Sequence, residues 1–412
     1  MAGPEQEAVA LLSGTGMGPV LAAALAPAGL SVQRWTRRRV HHRPGAGVTA
    51  VFDVVALAGA RRTAEVVCVS TASPPADTSP PAGTSPDLVR TRHEGVDLVA
   101  WRHPHDPWLP GLAWASSPEA VGREVFCSAE PAELTEVSYR PTRRAVLRAA
   151  HGSRVRYLKV LRRDRAAALH ARHRMLLAAG LPVPAPVEDP VRDVVVLRQL
   201  PGTPLAASVR QDGAAALHPE HVLALLDALP AAALKLPARA SWTDRVLDYG
   251  HAAAVALPEE RGRIERLAAA IDEARRATDP GPVVPVHGDL YEANLLVGPA
   301  VRGTFGPVTG VLDVDAVGPG HRVDDLACLV AHLAVLPTVH DSYGHAPAAA
   351  RRLLAGFDAA VDPAALRVRC AGVALSLVAG ARRSGGPPDR ARRRLEIAEE
   401  FLGARRFSGA DG

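Results

Sequence analysis

The residues whose types and spacing best suit chemistry occupy positions 287–294, which read His-Gly-Asp-Leu-Tyr-Glu-Ala-Asn. A carboxylate such as Asp289 can orient a hydroxyl group and take its proton while a new bond to the oxygen forms. Asn294 places an amide oxygen five residues later on the same loop, a spacing that occurs in the catalytic loop of kinases. Apolar runs flank the loop, PVVPV before it and LLV after it. The loop therefore predicts a phosphoryl-transfer site with Asp289 as the base, rather than a solvated Asx turn.

A second acidic motif, Gly310–Asp315, is an apolar run that ends on two carboxylates. Phosphoryl transfer needs a divalent cation at the donor phosphates, and a hard cation such as Mg²⁺ takes oxygen ligands. Asp313 follows the loop after the length of a hairpin, so we expect it to lie opposite Asn294. Asp315 fits a further ligand and a turn-forming residue equally well.

Lysine is rare in this chain, because Lys159 and Lys235 are the only two lysines. Lys159 lies in the middle of a predicted strand, where kinases carry a lysine that anchors nucleotide phosphates. A compact ammonium fits between phosphate oxygens where a planar guanidinium would not. We interpret Lys159 as a phosphate anchor rather than an edge-strand lysine that extends to solvent.

Two β-hairpins are predicted in the N-terminal part of the chain. Alternating apolar residues indicate one within Val32–Ser70 and another from about Thr135, and a short similar stretch precedes each. An overlay of the two hairpins aligns Cys68 with Lys159. The first hairpin is either a degenerate copy of the second or resembles it by chance. Residues 71–87 are rich in Pro, Ser, Thr and Ala and predict a flexible loop.

The rest of the chain is predominantly helical in pattern. Residues 5–28 predict one or two helices, 165–179 predict a helix that ends at Gly180, and 194–202 predict a strand. From about residue 214 the pattern is helical except in 281–320, which contains both acidic motifs. The predicted helices are 217–236, 241–256, 258–277, 322–336, 346–360, 363–380 and 388–405.

The composition argues against several classes of protein. The net charge is only +5 over 412 residues, aromatic residues make up 4%, and no block of five or six like charges occurs, so the composition does not indicate nucleic acid binding. The apolar N-terminus has no basic segment and is interrupted by Glu5 and Glu7, which argues against a signal peptide or a membrane span. The four cysteines are widely spaced and predict buried, reduced thiols. A cytoplasmic location follows by default, and the oligomeric state is left open.

Six short motifs occur in a fixed order between about residues 130 and 340. They are Tyr157–Val160, Gly180–Pro184, Leu197–Gly202, His287–Asn294, Leu312–Asp315 and Asp325–Ala327. In this order they resemble the aminoglycoside phosphotransferase and choline kinase superfamily. The whole set is specific, although no single motif is.

This resemblance implies a two-lobed, protein-kinase-like fold of the α+β class, with ATP or GTP held between the lobes. It implies Asp289 as the catalytic base, Asn294 and Asp313 as Mg²⁺ ligands, and Lys159 on the α- and β-phosphates. Asp325 would hold the catalytic segment in place.

The resemblance also implies where the adenine and the lobes lie. The adenine would bond to the backbone of a hinge formed by Arg198, Gln199 and Leu200. The expected domains are a cap-like α/β domain at 1–128, a kinase-like N-lobe at 129–202 and a helical C-lobe at 203–412. If the hairpins arose by duplication, the first domain is a degenerate copy of the N-lobe.

Three features depart from the superfamily. The lysine normally pairs with a glutamate on the next helix, and His170 stands at that position. Either another carboxylate such as Asp164 serves instead, or the lysine is held less tightly. The phosphate-covering turn, Arg140–Arg144, has no glycine, and its arginines fit either phosphate contacts or a plain basic turn. Residues 1–125 lie outside the common core of the superfamily and are expected to pack as an extra, cap-like domain. Separately from these three departures, the His103–Asp106 segment is interpreted as a solvated loop rather than a metal site.

Two functions from different classes are consistent with these observations. The first is a phosphotransferase that moves the γ-phosphoryl group of ATP or GTP to a hydroxyl of a small molecule such as an aminoglycoside, a sugar or an amino alcohol. The second is a catalytically inactive nucleotide-binding protein with a regulatory or scaffold role, which the histidine at 170 and the glycine-free turn favour. The four candidates Lys159, Asp289, Asn294 and Asp313 favour the first. A protein kinase is disfavoured, since no Ala-Pro-Glu segment or long activation loop follows Asp313.

Overall fold

The chain forms an α+β structure that divides into two compact units. The computed structural model describes residues 4–42, 47–75, 88–298, 305–382 and 386–403. The N-terminal unit comprises Met1–His170 and Pro186–Gln199, and the C-terminal unit comprises Ala171–Ala185 and Leu200–Gly412. The first is rich in strands and the second in helices, which confirms the predicted fold class.

A five-stranded antiparallel sheet forms the first part of the N-terminal unit. Its strand order is β1-β2-β3-β5-β4. Two short helices bury Leu21 and their other apolar residues against Phe52 and Leu98 on one face of this sheet. The bounds are α1 Pro4–Ser13, α2 Gly18–Leu25, β1 Ser31–His42, β2 Val48–Ala58, β3 Arg61–Ser70, β4 Leu88–His93 and β5 Val96–Arg102.

A four-stranded antiparallel sheet, β6-β7-β8-β9, forms the second part of this unit. Its strands are β6 Glu133–Arg140, β7 Arg144–His151, β8 Arg154–Leu161 and β9 Val194–Arg198. The helices α3 Leu112–Ala115 and α4 Pro118–Val125 bury Leu112 and Val121 against Leu158 and Val160 of this sheet. The segment before residue 128 and the second sheet therefore share one core.

The two sheets have similar strand order over four strands. Cys68 on β3 pairs with Val51, and Lys159 on β8 pairs with Val146, each on the preceding strand. Duplication of the hairpin unit stays a hypothesis, as do the domain boundaries at 128 and 202. Residues 76–87 of the predicted flexible loop lie outside the described residues.

The C-terminal unit is built mainly from helices, with two small sheets at the acidic motifs. The sheets have the orders β10-β12-β13 and β11-β14. The boundary between the units falls within α5, Ala166–Ala178. The remaining elements are β10 Thr203–Pro204, α6 Leu205–Asp212, α7 Pro219–Asp227, α8 Val246–Ala256, α9 Arg261–Ala277, β11 Val283–Val286, β12 Leu295–Val297, β13 Val308–Val311, β14 Gly318–His321, α10 Arg322–Val335, α11 Ala346–Phe357, α12 Pro363–Ser376, α13 Val378–Arg382 and α14 Pro388–Leu402.

Two helix predictions need correction. The predicted helix 217–236 ends at Asp227, because Pro230 interrupts it, and a short 3₁₀ helix, Ala231–Lys235, follows. The helix α6 was not predicted; it begins right after Pro204 and ends at Gly213, whose φ of 71° suits glycine.

One helical run in the described part of the chain, Pro363–Arg382, is long and apolar enough to cross a membrane by length and composition. Of this run, 67% is buried inside the structure, which is the pattern of a core helix. The segments Glu7–Ser13 and Gly18–Ala28 pass the same test only as a pair bent by 74°.

The four cysteines are free thiols. Cys68, Cys328 and Cys370 are buried as predicted, but Cys127 is exposed, so the prediction of buried thiols is wrong for that residue.

Candidate active site

Two neighbouring loops of the C-terminal unit contain the acidic motifs. The loop 287–294 joins β11 to β12, and the loop 312–317 joins β13 to β14. Val286 pairs with Gly318 across one small sheet, and Leu295 pairs with Val311 across the other. Both loops therefore begin and end at paired positions, and the pairing places them side by side.

His287 connects these two loops. Its side chain is buried, its Nε2 lies 3.0 Å from Leu312 O, and its Nδ1 accepts from Asp289 N at 3.3 Å. Since Nδ1 accepts, Nε2 carries the proton and donates to the carbonyl, which fixes a neutral tautomer. The ring thus holds the backbone at Asp289 against the loop that contains Asp313.

Asp325, near the start of α10, holds the first residues of the loop 287–294, the candidate catalytic loop. Its Oδ2 accepts from His287 N at 2.6 Å, and its Oδ1 accepts from Gly288 N at 2.8 Å. Burial raises the pKa of Asp325 to about 7, although the two N–H groups act in the opposite direction. Asp325 is thus a structural support of the loop, as the resemblance implied.

Asn294 is buried at the end of the catalytic loop. Its Nδ2 donates to Asp289 O at 2.9 Å, and its own carbonyl accepts from Leu312 N at 2.8 Å. Because the amide nitrogen is used in this way, the amide oxygen is the atom that can bind a cation. The hydrogen bonds therefore leave Asn294 with an oxygen atom, the type of ligand that Mg²⁺ requires.

Asp313 has a left-handed backbone, with φ 54° and ψ 50°. Such a conformation is uncommon outside glycine, is tolerated best by Asn and Asp, and concentrates at functional sites. The pKa of the Tyr291 phenol reflects the charge of this region. Burial is the largest cause, followed by the charges of Asp289 and Asp313, and together they raise the pKa of Tyr291 to about 12. A local excess of negative charge suits the binding of a divalent cation.

The loop also contains a buried acid whose environment the sequence did not reveal. Glu292 is 7% exposed, and its Oε2 lies 3.8 Å from His332 Nδ1 on α10. Burial, with the charge of Asp289, raises the pKa of Glu292 to about 7, and burial lowers that of His332 to about 4. Because the imidazole of His332 is neutral at neutral pH, its contact with Glu292 is not an ion pair, although the two atoms are only 3.8 Å apart. His332 lies 40 residues from Glu292, and no local pattern indicates the contact.

The phosphate and hinge candidates belong to other parts of the chain. Lys159 is buried on β8 in the N-terminal unit, and Arg198 and Gln199 are exposed at the end of β9 in the same unit. Leu200 is the first residue of the second segment of the C-terminal unit. The structure therefore brings Asp289, Asn294 and Asp313 together, while the roles of Lys159 and the hinge stay predictions.

Position 170, where the resemblance places the glutamate that pairs with the lysine, carries a histidine. His170 is buried on α5, and its Nε2 lies 3.7 Å from Asp189 Oδ1, whose side chain is 90% exposed. Asp164, proposed above as a substitute, precedes the helix with a φ of 60°.

No group of three or more His, Cys, Asp or Glu residues forms a metal cluster within the described ranges. The predicted Mg²⁺ ligands are one amide and one carboxylate, which fits a cation that takes its other ligands from phosphates and water. The interpretation of 103–106 as a solvated loop is wrong for Asp106, which is 3% exposed.

Comparison with known proteins gives one family match. The model of the family described as "Phosphotransferase enzyme family" matches residues 135–360, which contain all the candidate residues. No curated protein matches the chain.

Several solved structures are similar to the chain. A thermostable mutant of aminoglycoside phosphotransferase APH(4)-Ia is 17% identical to this chain. The match covers 68% of this chain and 97% of the mutant's chain, with a TM-score of 0.47. Aminoglycoside-3'-phosphotransferase of type VIII is 28% identical over 60% of this chain and 93% of its own, with a TM-score of 0.41. Ethanolamine kinase from Plasmodium vivax is 12% identical over 66% and 84%, with a TM-score of 0.43. The assignment of the chain to a family rests on the family match over residues 135–360.

Proposed function

The chain belongs to the phosphotransferase enzyme family, whose model matches more than half of it, and from this premise we propose that it transfers the γ-phosphoryl group of ATP or GTP to a hydroxyl of a small molecule. One observation carries the proposal. The hydrogen bonds of His287 and Asn294 hold the Asp289 backbone directly beside Leu312, the residue before Asp313. These contacts support a site in which the base Asp289 lies near the amide of Asn294 and the carboxylate of Asp313.

Asp289 acts on the acceptor in this proposal. Its carboxylate accepts the hydrogen bond of the acceptor hydroxyl and takes that proton while the oxygen bonds to the γ-phosphorus. The bond between the γ-phosphorus and the bridging oxygen breaks, and the nucleoside diphosphate leaves. Because His287 and Asn294 fix the Asp289 backbone, the carboxylate is positioned before the acceptor arrives.

Asn294 and Asp313 would hold Mg²⁺, which neutralises charge on the donor phosphates when it is bound. Lys159 would bind the α- and β-phosphates, and the backbone of Arg198–Leu200 would bind the adenine. Cytoplasm is the proposed compartment, since the donor nucleotides are available there.

The acceptor is a small hydroxylated molecule, with aminoglycosides, sugars and amino alcohols as the candidate classes. Glu292 does not mark an acidic acceptor cleft, because it is buried and its pKa is raised to about 7. The choice among the three classes therefore rests on a direct screen.

A second function, nucleotide binding without transfer, is favoured by one observation. His170 contacts the exposed Asp189 at the position where the superfamily carries the glutamate that pairs with the lysine. An inactive regulatory protein would bind ATP or GTP and transfer no phosphoryl group to any acceptor.

The test is a screen of the full chain with ATP or GTP, Mg²⁺ and a panel of the three acceptor classes. Nucleoside diphosphate release and acceptor mass are measured together, so that hydrolysis is distinguished from transfer. We expect one class to gain a phosphoryl group in a Mg²⁺-dependent reaction. Nucleotide binding without a phosphorylated product across the panel would favour the inactive alternative.

A further inference from the structure

A buried carboxylate of the segment before residue 128 holds the turn between β6 and β7. Asp106 Oδ2 accepts from Thr142 N at 2.8 Å and from Tyr139 OH at 2.9 Å, and its Oδ1 accepts from Trp108 N at 2.9 Å. All of these residues belong to the N-terminal unit. Burial raises the pKa of Asp106 to about 6, so the fold keeps this acid at a cost in desolvation.

The turn that it holds has an unfavourable backbone. Thr142 has a φ of 64°, in the left-handed region that β-branched residues rarely adopt. Such a conformation persists only where the surroundings impose it. Here both peptide groups are held, since Thr142 N donates to Asp106 and Thr142 O accepts from Arg162 Nε.

The position and charge of this turn relate it to the phosphate anchor. Arg140 and Arg144 pair at its base, and it carries three arginines, with Arg143 as the third. On the neighbouring strand Leu161 pairs with Arg144, so Lys159 lies two residues from the base of the turn. The resemblance implies that this turn takes the place of the superfamily's phosphate-covering turn, and without glycine its backbone cannot adapt freely.

We propose that Asp106 is a positioning residue for nucleotide binding, which holds the arginine-bearing turn 140–144 in the shape that receives the phosphates. The segment before residue 128 would thereby control the affinity for nucleotide without touching it. This inference rests on the proposed function, because it assumes that the turn faces phosphates.

The alternative is that Asp106 only stabilises the fold, and kinetics separate the two roles. In Asp106→Asn one oxygen remains, so the side chain cannot accept from both Trp108 N and Thr142 N. We expect the KM and Kd for nucleotide to rise about tenfold, which corresponds to the loss of one charged hydrogen bond. The kcat and the KM for acceptor should change little.

The matched control is Tyr139→Phe, which removes another donor to the same oxygen and leaves the bond to Thr142 N. We expect less than about a twofold change in nucleotide KM. A rescue variant adds Thr142→Gly to Asp106→Asn, because glycine adopts the left-handed turn without being held. We expect this double variant to recover most of the nucleotide affinity, which a merely stabilising role of Asp106 does not predict.

The outcomes distinguish this inference from the proposed function. A wild-type chain that transfers no phosphoryl group contradicts the proposed function. An active wild type whose folded Asp106→Asn variant keeps its nucleotide KM and Kd contradicts the role of Asp106. If Asp106→Asn does not fold, the variant Arg162→Gln is used instead, since it removes the hydrogen bond to Thr142 O. An unchanged nucleotide KM in Arg162→Gln overturns the proposal.

Discussion

Asp325 shows how much a single side chain contributes to the catalytic loop. Its carboxylate accepts from the backbone N–H groups of His287 and Gly288, and an amide would present an NH₂ group to one of them. Asp325→Asn should therefore lower the free energy of unfolding by about 1.5–3 kcal/mol and lower kcat. Denaturant unfolding and steady-state kinetics check this. A variant with wild-type stability and kcat would show that these bonds do not position the loop.

Asp313 combines a left-handed backbone with a charge, and substitution can separate the two. Asparagine tolerates the same backbone but carries no charge, so Asp313→Asn should fold normally. We expect the Mg²⁺ concentration needed for half-maximal activity to rise about tenfold or more, because a charged ligand is lost. Asp315→Asn is the comparison, and an equal shift in both variants would contradict a special role for Asp313.

The residues of the catalytic loop could be predicted from sequence because their spacing is local. Asp289 and Asn294 lie in one eight-residue loop, and a hydrogen bond joins them. The contact between Asp106 and Thr142 spans 36 residues and two sheets, and no pattern in either segment indicates it. A loop rich in His, Pro and Asp also occurs on solvated surfaces, which is why the burial of Asp106 could not be foreseen.

At the scale of elements, Gly288 lets the turn after β11 pass close to the loop that follows β13. Its φ is 79°, and a Cβ atom there would lie 2.8 Å from Ala316 O. Gly288→Ala should thus suffer both backbone strain and a clash. We expect a loss of about 2–4 kcal/mol in stability and a strong drop in kcat.

Gly281 provides the control for that prediction. Its φ is 76°, but nothing lies within 4 Å of a Cβ atom built there. Gly281→Ala should cost only about 1 kcal/mol, through backbone strain alone. Equal losses in the two alanine variants would show that the close approach of the two loops is unimportant.

The turn held by Asp106 should make stability depend on pH in a defined direction. The folded pKa of about 6 lies above the ordinary aspartate value of 3.8, so the native state binds the proton more tightly than the unfolded state. This contribution is fully present below about pH 4 and is lost as pH rises through 6. The stability of wild type relative to Asp106→Asn should fall by roughly 2.5 kcal/mol from pH 4 to pH 7. Unfolding of both chains across this range checks it, and a constant difference would contradict the burial argument.

The elements were predicted where a periodic pattern had clear ends. The hairpin β2–β3 and the helix α5 follow alternating and helical patterns that end at glycines. The segment 217–236 was predicted as one helix because its alanines and leucines keep helical spacing across Pro230. The helix α6 was missed because it is short and directly follows a two-residue strand. A proline sets a helix boundary in both cases: Pro230 prevents the first helix from continuing, and Pro204 directly precedes α6.

At the scale of the whole molecule, the order of the motifs predicted the family, and the family match over 135–360 confirms it. The α+β class that the resemblance implied is confirmed by one unit rich in strands and one rich in helices. That order is a property of the chain and needs no contact information. The packing of the first 128 residues could not be predicted, because α3 and α4 bury their apolar faces on a sheet formed later in the sequence.

The central claim is that this chain transfers a phosphoryl group with Asp289 as its base. The most direct test is the kcat of Asp289→Asn, measured as phosphorylated acceptor per unit time with the acceptor found by the screen. Asp279→Asn, an exposed carboxylate of the same unit, is the control. We predict a loss of about 10²–10⁴-fold in kcat for Asp289→Asn, with nucleotide affinity nearly unchanged and the control at wild-type rate. A wild-type kcat in Asp289→Asn would contradict the account.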